Sequence, residues 1–249
     1  MTYKTLLSSF LIMIALSTSG CFWQNVPGNQ QVNPKVLLEP ENAAELIQAV
    51  QEAEQRKLNV KMTGSGHSLS DVAVTQGMLL TPYKLNKALN LDTARLKAAD
   101  HTLFARVQSG MRIRELNTYL DNRGLALKNM GGWDEQTIVG AAMTSTHGSG
   151  LNYGPMSAQI VSMQVVTQGG EMLQLEPSNG ITDAHNFPGQ LEENPSIDVE
   201  LIQDDDTFNA FTVSIGSMGI VYAVILQTDQ KFWLHEERHI AKWSEVKAA

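Results

Sequence analysis

The chain has 249 residues, of which 43% are hydrophobic and 18% are charged, and its formal net charge at pH 7 is −8. This composition is typical of a globular protein and excludes a disordered, collagen-like or coiled-coil chain. The acidic balance makes nucleic acid a poor candidate partner. The single cysteine, Cys21, excludes an intrachain disulfide and a cysteine-rich zinc site.

The amino terminus has the pattern of a signal peptide. A positive charge precedes an apolar stretch, residues 6–16, that is too short to cross a bilayer. Residues 18–21 resemble the lipidation box of bacterial lipoproteins, although Thr18 stands where leucine is usual. We therefore predict a lipoprotein signal over residues 1–20, lipidation of Cys21 as a membrane anchor, and export to the cell envelope of a bacterium. The alternative is an ordinary signal peptide followed by an incidental cysteine.

The segment after the cysteine is polar and contains glycine and proline, which predicts a tether over residues 21–35. Asn42, followed by Glu45 three residues later, is a capping pattern that predicts the start of a first helix. Hydrophobic periodicity extends that helix over residues 42–57 and predicts two more over residues 112–122 and 208–214. A further helix, wrapped in loops, is predicted within residues 129–154.

The remaining apolar runs predict strands, over residues 58–63, 78–81, 103–108, 160–167, 171–176 and 220–228. The pair on either side of Gly169 and Gly170 is predicted to form a hairpin. The polar, acidic stretch 177–206 is predicted to be a surface excursion. This order predicts an α+β fold, in which a small parallel αβ unit is followed by a larger, mostly antiparallel sheet flanked by helices.

Two glycine-rich segments indicate where a ligand binds. The first glycine loop (residues 63–68, TGSGHS) directly follows a predicted strand, and the second glycine segment (residues 131–150) is rich in threonine and serine. Glycine lets a ligand approach the backbone closely, and exposed N–H groups of such loops bind pyrophosphate. The first loop alone is explained equally well by a tight turn, and it lacks the third glycine of a nicotinamide-type fingerprint. The two segments together favour an extended cofactor such as a dinucleotide.

The motifs resemble a known family. The stretch 61–71 (KMTGSGHSLSD) resembles the first flavin loop of FAD-linked oxidases of the vanillyl-alcohol oxidase and p-cresol methylhydroxylase (PCMH) superfamily, nearest the L-gulonolactone and sugar-lactone oxidase branch. Residues 80–92, 108–124, 131–150 and 208–221 resemble later segments of that family in the same order. The resemblance implies a two-subdomain PCMH-type FAD-binding domain over residues 36–235.

The resemblance also implies which residues hold FAD. They are Thr63, Gly64, Ser65, Gly66, His67, Ser68, Gly131, Gly132, Asp134, Thr137, Gly140, Thr144, Thr146, His147, Gly148, Gly219, Ile220 and Val221. His67 stands where this branch carries its flavin covalently through the 8α-methyl carbon, and the alternative is a non-covalent contact. His147 is expected to organise its loop rather than to act in catalysis.

By the same resemblance, the chain belongs to an FAD-dependent oxidoreductase acting on CH–OH donors. Such an enzyme passes a hydride from a hydroxyl-bearing carbon of a sugar lactone, alditol or similar alcohol to flavin N5, and oxygen or an electron carrier reoxidises the flavin. In this family a carboxy-terminal domain binds the substrate, so we assign no catalytic residue and expect residues 236–249 to begin a linker to that domain. A partner chain could also carry it. The alternative function is a membrane-anchored flavin-binding or assembly lipoprotein without turnover.

One motif competes with this interpretation. His235 and His239 fit the H-E-x-x-H pattern of zinc metalloproteases, which requires both histidines on one helix face and a third ligand downstream. Only Glu245 follows as a plausible third ligand, so solvated charges after a strand are favoured and no metal is predicted. Trp133 is expected near the flavin, either as packing or in a functional role.

Overall fold

The computed structural model describes residues 21–97 and 101–248, so the predicted signal over residues 1–20 lies outside the described part. The helices of this part are α1 (Ala43–Gln55), α2 (Ile113–Asp121), α3 (Ile138–Met143), α4 (Asp205–Thr212) and α5 (Trp243–Ala248). Its strands are β1 (Trp23–Gln24), β2 (Gln31–Val32), β3 (Val36–Leu38), β4 (Val60–Met62), β5 (Met78–Leu80), β6 (Phe104–Gln108), β7 (Leu125–Ala126), β8 (Ile160–Val166), β9 (Met172–Glu176), β10 (Gln190–Leu191), β11 (Asn194–Gln203), β12 (Ile220–Gln227) and β13 (Asp229–Gln230). Across these two ranges, the model contains no helix with the length and apolar character that a membrane span requires.

Two sheets form the framework of the fold. The smaller sheet is parallel, with strand order β3-β5-β4, and α1 connects β3 to β4. The larger sheet has six strands in the order β10-β11-β9-β8-β12-β6, and its neighbours are antiparallel except for β11 and β9. Two short ribbons, β1-β2 and β7-β13, lie outside these sheets. The predicted α+β architecture, a small parallel unit with a larger mostly antiparallel sheet, is therefore confirmed.

Helix α1 packs the two sheets together. Its first turn is capped as predicted, because the Asn42 side chain accepts a hydrogen bond from the Glu45 N–H at 3.0 Å. The buried face of α1 shares one apolar core with the parallel sheet and with Val166 and Ile220 of the large sheet. Helices α2 and α3 share a second core with β6, β8 and β12. The six-stranded sheet is thus covered on both faces, which explains why its central strands are almost wholly apolar.

The predicted hairpin is confirmed, since β8 and β9 pair antiparallel around residues 168–170 and Gly169 has a φ of 75°. The prediction of a surface excursion over residues 177–206 is wrong in part. This stretch contains β10 and β11, and β11 pairs parallel with β9 from Val199 to Gln203. Its alternation is weak because β11 lies next to the sheet edge, where polar side chains face water.

The prediction of a tether over residues 21–35 is also wrong. Strands β1 and β2 pair antiparallel, and together with the turn between them they form the N-terminal hairpin (residues 23–32). Trp23 is only 8% exposed and packs with Val32 and Leu79 in a small apolar cluster. Polar composition suggested a free linker, but a buried tryptophan, a backbone hydrogen bond to Gly66 and side-chain hydrogen bonds to the carbonyls of Ser68 and Leu69 hold this segment on the domain.

Candidate cofactor site

A cavity between the parallel sheet and the large sheet is lined by the first glycine loop and by part of the second glycine segment. The space inside it that is open to a water-sized molecule is about 170 Å³. Its walls come from residues 62–68, from residues 136–144, and from residues 215–221. Three separate parts of the chain therefore meet around one cavity.

The first glycine loop contributes unpaired backbone donors to this cavity. The N–H groups of the five successive residues from Gly64 to Ser68 donate to no group among the described residues. Thr63 Oγ1 is also buried there without a partner. Buried or half-buried donors without partners are costly unless a ligand satisfies them. A run of free N–H groups in a loop is an arrangement that binds anions.

The second wall contacts the first loop directly. The Thr137 N–H donates to Ser65 Oγ at 2.9 Å, and the Thr137 side chain caps α3 by accepting from the Gly140 N–H. A Cβ atom on Gly64 would lie 3.2 Å from the Gly140 Cα, and a Cβ on Gly140 would lie 3.2 Å from the Gly64 Cα. Both glycines are therefore required for the close approach of the two walls.

The third wall is a strained turn that leads into β12. Ile215 has a φ of 56°, a conformation that a β-branched residue adopts only at an energetic cost. Its side chain is 49% exposed although it lines the cavity. Such strain concentrates at ligand sites, where the surrounding structure maintains it.

His67 lies on the cavity wall in a specific contact. Trp133 Nε1 is 3.0 Å from His67 Nε2, and because an indole N–H can only donate, Nε2 is the acceptor. The other ring nitrogen, Nδ1, is buried without a partner. Partial burial lowers the pKa of His67 below its usual value, Glu135 opposes this shift, and Arg112 adds to it. The lowered pKa and the hydrogen bond accepted by Nε2 both favour the neutral imidazole.

The structure brings most of the predicted FAD residues together on the cavity wall. These are Thr63, Gly64, Ser65, Gly66, His67, Ser68, Thr137, Gly140, Thr144, Gly219, Ile220 and Val221. The others, which do not line the cavity, are Gly131, Gly132, Asp134, Thr146, His147 and Gly148. Gly148 packs against Asn129 and Met130, and the exposed His147 bonds the Gly148 carbonyl through Nδ1 at 2.8 Å. This part of the second glycine segment shapes its own loop.

Sequence reasoning missed several residues that line the cavity. Most are apolar or small and carry no chemical signature: Met62, Val72, Ala73, Pro82, Ser109, Gln136, Val139, Met143, Ile215 and Gly216. Ser109 follows β6 immediately, and its position at the end of a buried strand is the one available signal. The others could be found only from the packing.

The H-E-x-x-H motif does not form a zinc site in the described structure. Residues 231–242 are not helical, and His235 and His239 have side chains that are 85% and 79% exposed. Both histidines contact Glu237 instead, at 3.2 and 3.4 Å. Within residues 21–97 and 101–248, no group of three or more His, Cys, Asp or Glu side chains is arranged to hold a metal ion.

Comparisons with known proteins agree with this geometry. A family model described as an FAD binding domain matches residues 34–176. An L-gulono-1,4-lactone dehydrogenase of Mycobacterium tuberculosis is 33% identical over 86% of this chain and 42% of its own length. A putative D-arabinono-1,4-lactone oxidase of Neurospora crassa is 30% identical over 84% of this chain and 34% of its own length. An L-gulonolactone oxidase of Scyliorhinus torazame is 29% identical over 92% of this chain and 45% of its own length. The chain spans less than half the length of each of these relatives.

Solved structures show the same fold. A solvent-stable cholesterol oxidase superposes with a TM-score of 0.64 at 15% identity, covering 85% of this chain and 37% of its own. An alkyldihydroxyacetonephosphate synthase superposes with a TM-score of 0.57 at 20% identity, covering 79% and 32%. At these identities the likeness concerns the fold alone, and it matches the combination of a parallel sheet and a larger mixed sheet.

Proposed function

This chain belongs to the FAD binding domain family of PCMH-type flavoproteins, and from that premise we propose that it is the FAD-binding part of an oxidoreductase that acts on sugar lactones. Its reaction oxidises a hydroxyl-bearing carbon of a sugar lactone, alditol or similar alcohol. The relatives are named both oxidases and dehydrogenases. We therefore propose oxygen or an electron carrier as the final acceptor.

The observation that carries this proposal is the row of free N–H groups from Gly64 to Ser68 along the cavity. The FAD pyrophosphate is an anion that such a row satisfies. Thr63 Oγ1, buried without a partner, gives the cofactor one further polar contact. The residues present therefore fit the group, with the first glycine loop at the pyrophosphate and the turn before β12 along the same cavity.

When bound, FAD supplies the hydride acceptor at N5, and the protein supplies position and electrostatics. The close contact of Gly64 with Gly140 fixes the two cavity walls relative to each other, and apolar residues such as Met143 and Val139 exclude water. We propose that the groups that orient the alcohol and take its proton come from a substrate domain, on the same polypeptide or on a partner chain. Residues 236–249 then lead toward that domain.

We further propose that His67 holds FAD covalently. Neutral imidazole is a nucleophile, and Nδ1 is the ring nitrogen that lacks a partner. The bond would join His67 Nδ1 to the 8α-methyl carbon. Because Nε2 accepts from Trp133, Nδ1 carries the ring hydrogen and would have to lose that proton before its lone pair attacks, and one hydrogen would leave the methyl carbon. The two electrons of the oxidation reduce the flavin, and oxygen or the electron carrier then reoxidises it.

Attachment of the domain to a membrane is also a proposal. Cys21 is a free cysteine that lies two residues before the packed Trp23. A lipid on Cys21 would therefore hold the FAD domain close to the bilayer, without a long linker. Labelled fatty acid should be incorporated into the wild-type protein in a bacterial host and not into Cys21→Ala. Equal labelling of both would exclude this cysteine as the anchor.

Reconstitution with FAD tests the main proposal. The purified chain, incubated with excess FAD and desalted, should retain a visible flavin absorbance band. That band should remain with the protein after acid precipitation in the wild type and be lost in His67→Ala. A wild-type protein that retains no flavin would contradict the cofactor assignment. Flavin that binds but is always extracted by acid would contradict only the covalent bond.

A further inference from the structure

The N-terminal hairpin (residues 23–32) contacts the backbone of the first glycine loop through a repeated pattern. The Val26 N–H donates to the Gly66 carbonyl at 2.8 Å, and Asn25 Nδ2 donates to the Ser68 carbonyl at 3.0 Å. The contact is close, because a Cβ on Gly66, whose φ is 74°, would lie only 3.4 Å from the Asn25 Cα. The hairpin and the loop are therefore packed backbone against backbone.

The same pattern continues one residue beyond the loop. Asn29 Nδ2 and Gln30 Nε2 both donate to the Leu69 carbonyl, at 2.7 and 3.1 Å. Asn25, which is only 4% exposed, organises these donors, since its Oδ1 accepts from the Gln30 N–H and its Nδ2 also donates to Asn29 Oδ1. Every one of these bonds from the hairpin to residues 66–69 ends on a carbonyl oxygen.

Bonded carbonyls determine where the neighbouring N–H groups point. In a trans peptide the carbonyl of one residue and the N–H of the next point in opposite directions, and the described backbone has no cis peptide. The hairpin binds the Gly66 carbonyl, so the His67 N–H points away from the hairpin. The Ser68 carbonyl fixes the Leu69 N–H in the same way. Within the row of free N–H groups, the hairpin thus directly orients the N–H of His67.

We infer that the N-terminal hairpin is a positioning element for the cofactor, and that Asn25 and Asn29 are its positioning residues. Their hydrogen bonds hold the loop in the shape that presents its N–H groups to the pyrophosphate. The hairpin lies outside residues 34–176, which match the family model. This inference rests on the proposed function, because it assumes that the ligand of the loop is FAD.

The exposed Asn29 allows a test that does not disturb the core. In the full-length chain, Asn29→Ala removes one donor to the Leu69 carbonyl and one of the two acceptors of Asn25 Nδ2, which keeps its bond to the Ser68 carbonyl. We expect FAD affinity to fall about three- to tenfold, the range for one lost hydrogen bond. Affinity for riboflavin, which has no pyrophosphate, should stay unchanged. Amide hydrogen exchange at Val26, whose N–H donates to the Gly66 carbonyl, should become faster in the FAD-free protein. Gln31→Ala is the matched control, because Gln31 is exposed and bonds only within the hairpin.

The outcomes separate this inference from the proposed function. Wild-type FAD affinity and exchange rates in Asn29→Ala would overturn the role of the hairpin even if FAD binds. Equal losses of FAD and riboflavin affinity would show a merely structural effect and would also overturn it. If the wild-type chain binds no FAD, the proposed function fails, and the inference fails with it as a statement about a cofactor. The exchange measurement would then report only whether the hairpin orders the loop.

Discussion

The hydrogen bond from Trp133 to His67 opposes protonation of the His67 side chain. Because the Trp133 N–H donates to Nε2, a protonated His67, which carries hydrogen on both nitrogens, cannot keep this bond. Trp133→Phe removes the N–H and keeps an aromatic ring. We expect the pKa of His67 to rise in this variant, as measured by NMR titration of the imidazole protons. Glu135 and Arg112 remain in place and continue to act on His67 in opposite directions.

The direction in which pH changes the rate of covalent attachment follows from which protonation state of His67 reacts. Covalent attachment needs neutral His67, so its rate should fall as pH falls through the pKa of His67, which lies below the usual value of 6.5 in the wild type. Trp133→Phe should move this loss to higher pH. Trp233→Phe is the control, since Trp233 is 87% exposed and contacts Lys231 rather than the cavity. An unchanged pKa in Trp133→Phe would contradict the role assigned to the indole N–H.

At the scale of single residues, the sequence predicts which residues bind a ligand better than it predicts which residues contact each other. The run from Thr63 to Ser68 was recognisable because glycines and a histidine follow a strand in a fixed pattern. The partner of His67 was not, because Trp133 is distant in sequence and meets His67 only after the two walls close. The strain at Ile215 was equally hidden, since no composition rule predicts a positive φ for isoleucine.

Among the elements, those with strong local signals were predicted and those that depend on distant partners were not. Helix α1 follows from its cap and its apolar face, and the β8–β9 hairpin from its paired glycines. Strand β11 instead pairs parallel with β9 across an intervening excursion, a connection that local periodicity does not encode. The N-terminal hairpin is held mainly by hydrogen bonds to residues 66–69, which polar composition alone cannot indicate.

A buried carboxylate fastens the excursion after β9 to the large sheet. Glu176 is fully buried, and its oxygens accept from the Thr182 N–H at 2.9 Å, the Thr182 hydroxyl at 2.6 Å and Gln203 Nε2 at 3.0 Å. Glu176→Gln would replace one accepting carboxylate oxygen by an NH₂ group, which would face the donors of Thr182 and Gln203. We expect the free energy of unfolding to fall by about 2–3 kcal/mol, because a buried donor is left unpaired. Urea denaturation measures this loss.

The exposed Glu171 offers the matched comparison for this element, since it lies in the same hairpin. Glu171→Gln should change the free energy of unfolding by less than about 0.5 kcal/mol, as surface substitutions usually do. Equal small effects at both positions would mean that Glu176 does not hold the excursion in place. A large loss of stability in Glu176→Gln and a small one in Glu171→Gln would show that the buried hydrogen bonds of Glu176 hold strand β11 in place. This strand was not predicted from the sequence.

Across the whole molecule, the cavity lies between two sheets that also pack together around α1. A ligand that binds only the folded state adds stability that grows with the logarithm of its concentration relative to the dissociation constant. At an FAD concentration one hundred times the dissociation constant, this amounts to about 2.7 kcal/mol, or a rise in Tm of about 5–10 °C for a chain of this size. Differential scanning fluorimetry with and without FAD measures this rise.

We expect the stabilisation by FAD to depend on the close contact of Gly64 with Gly140. In Gly140→Ala the new Cβ would lie 2.7 Å from Thr137 Oγ1 and 3.2 Å from the Gly64 Cα, so the two walls must separate. The rise in Tm with FAD should then largely disappear.

Gly132→Ala is the control, because a Cβ on Gly132 would meet nothing within 4 Å. Gly132 is predicted from sequence to hold FAD. If it does not contact the cofactor, Gly132→Ala should keep the full rise in Tm. A full rise in Gly140→Ala would mean that the two walls need not touch to bind FAD. A lost rise in Gly132→Ala would extend the cofactor site beyond the cavity, into the outer part of the second glycine segment.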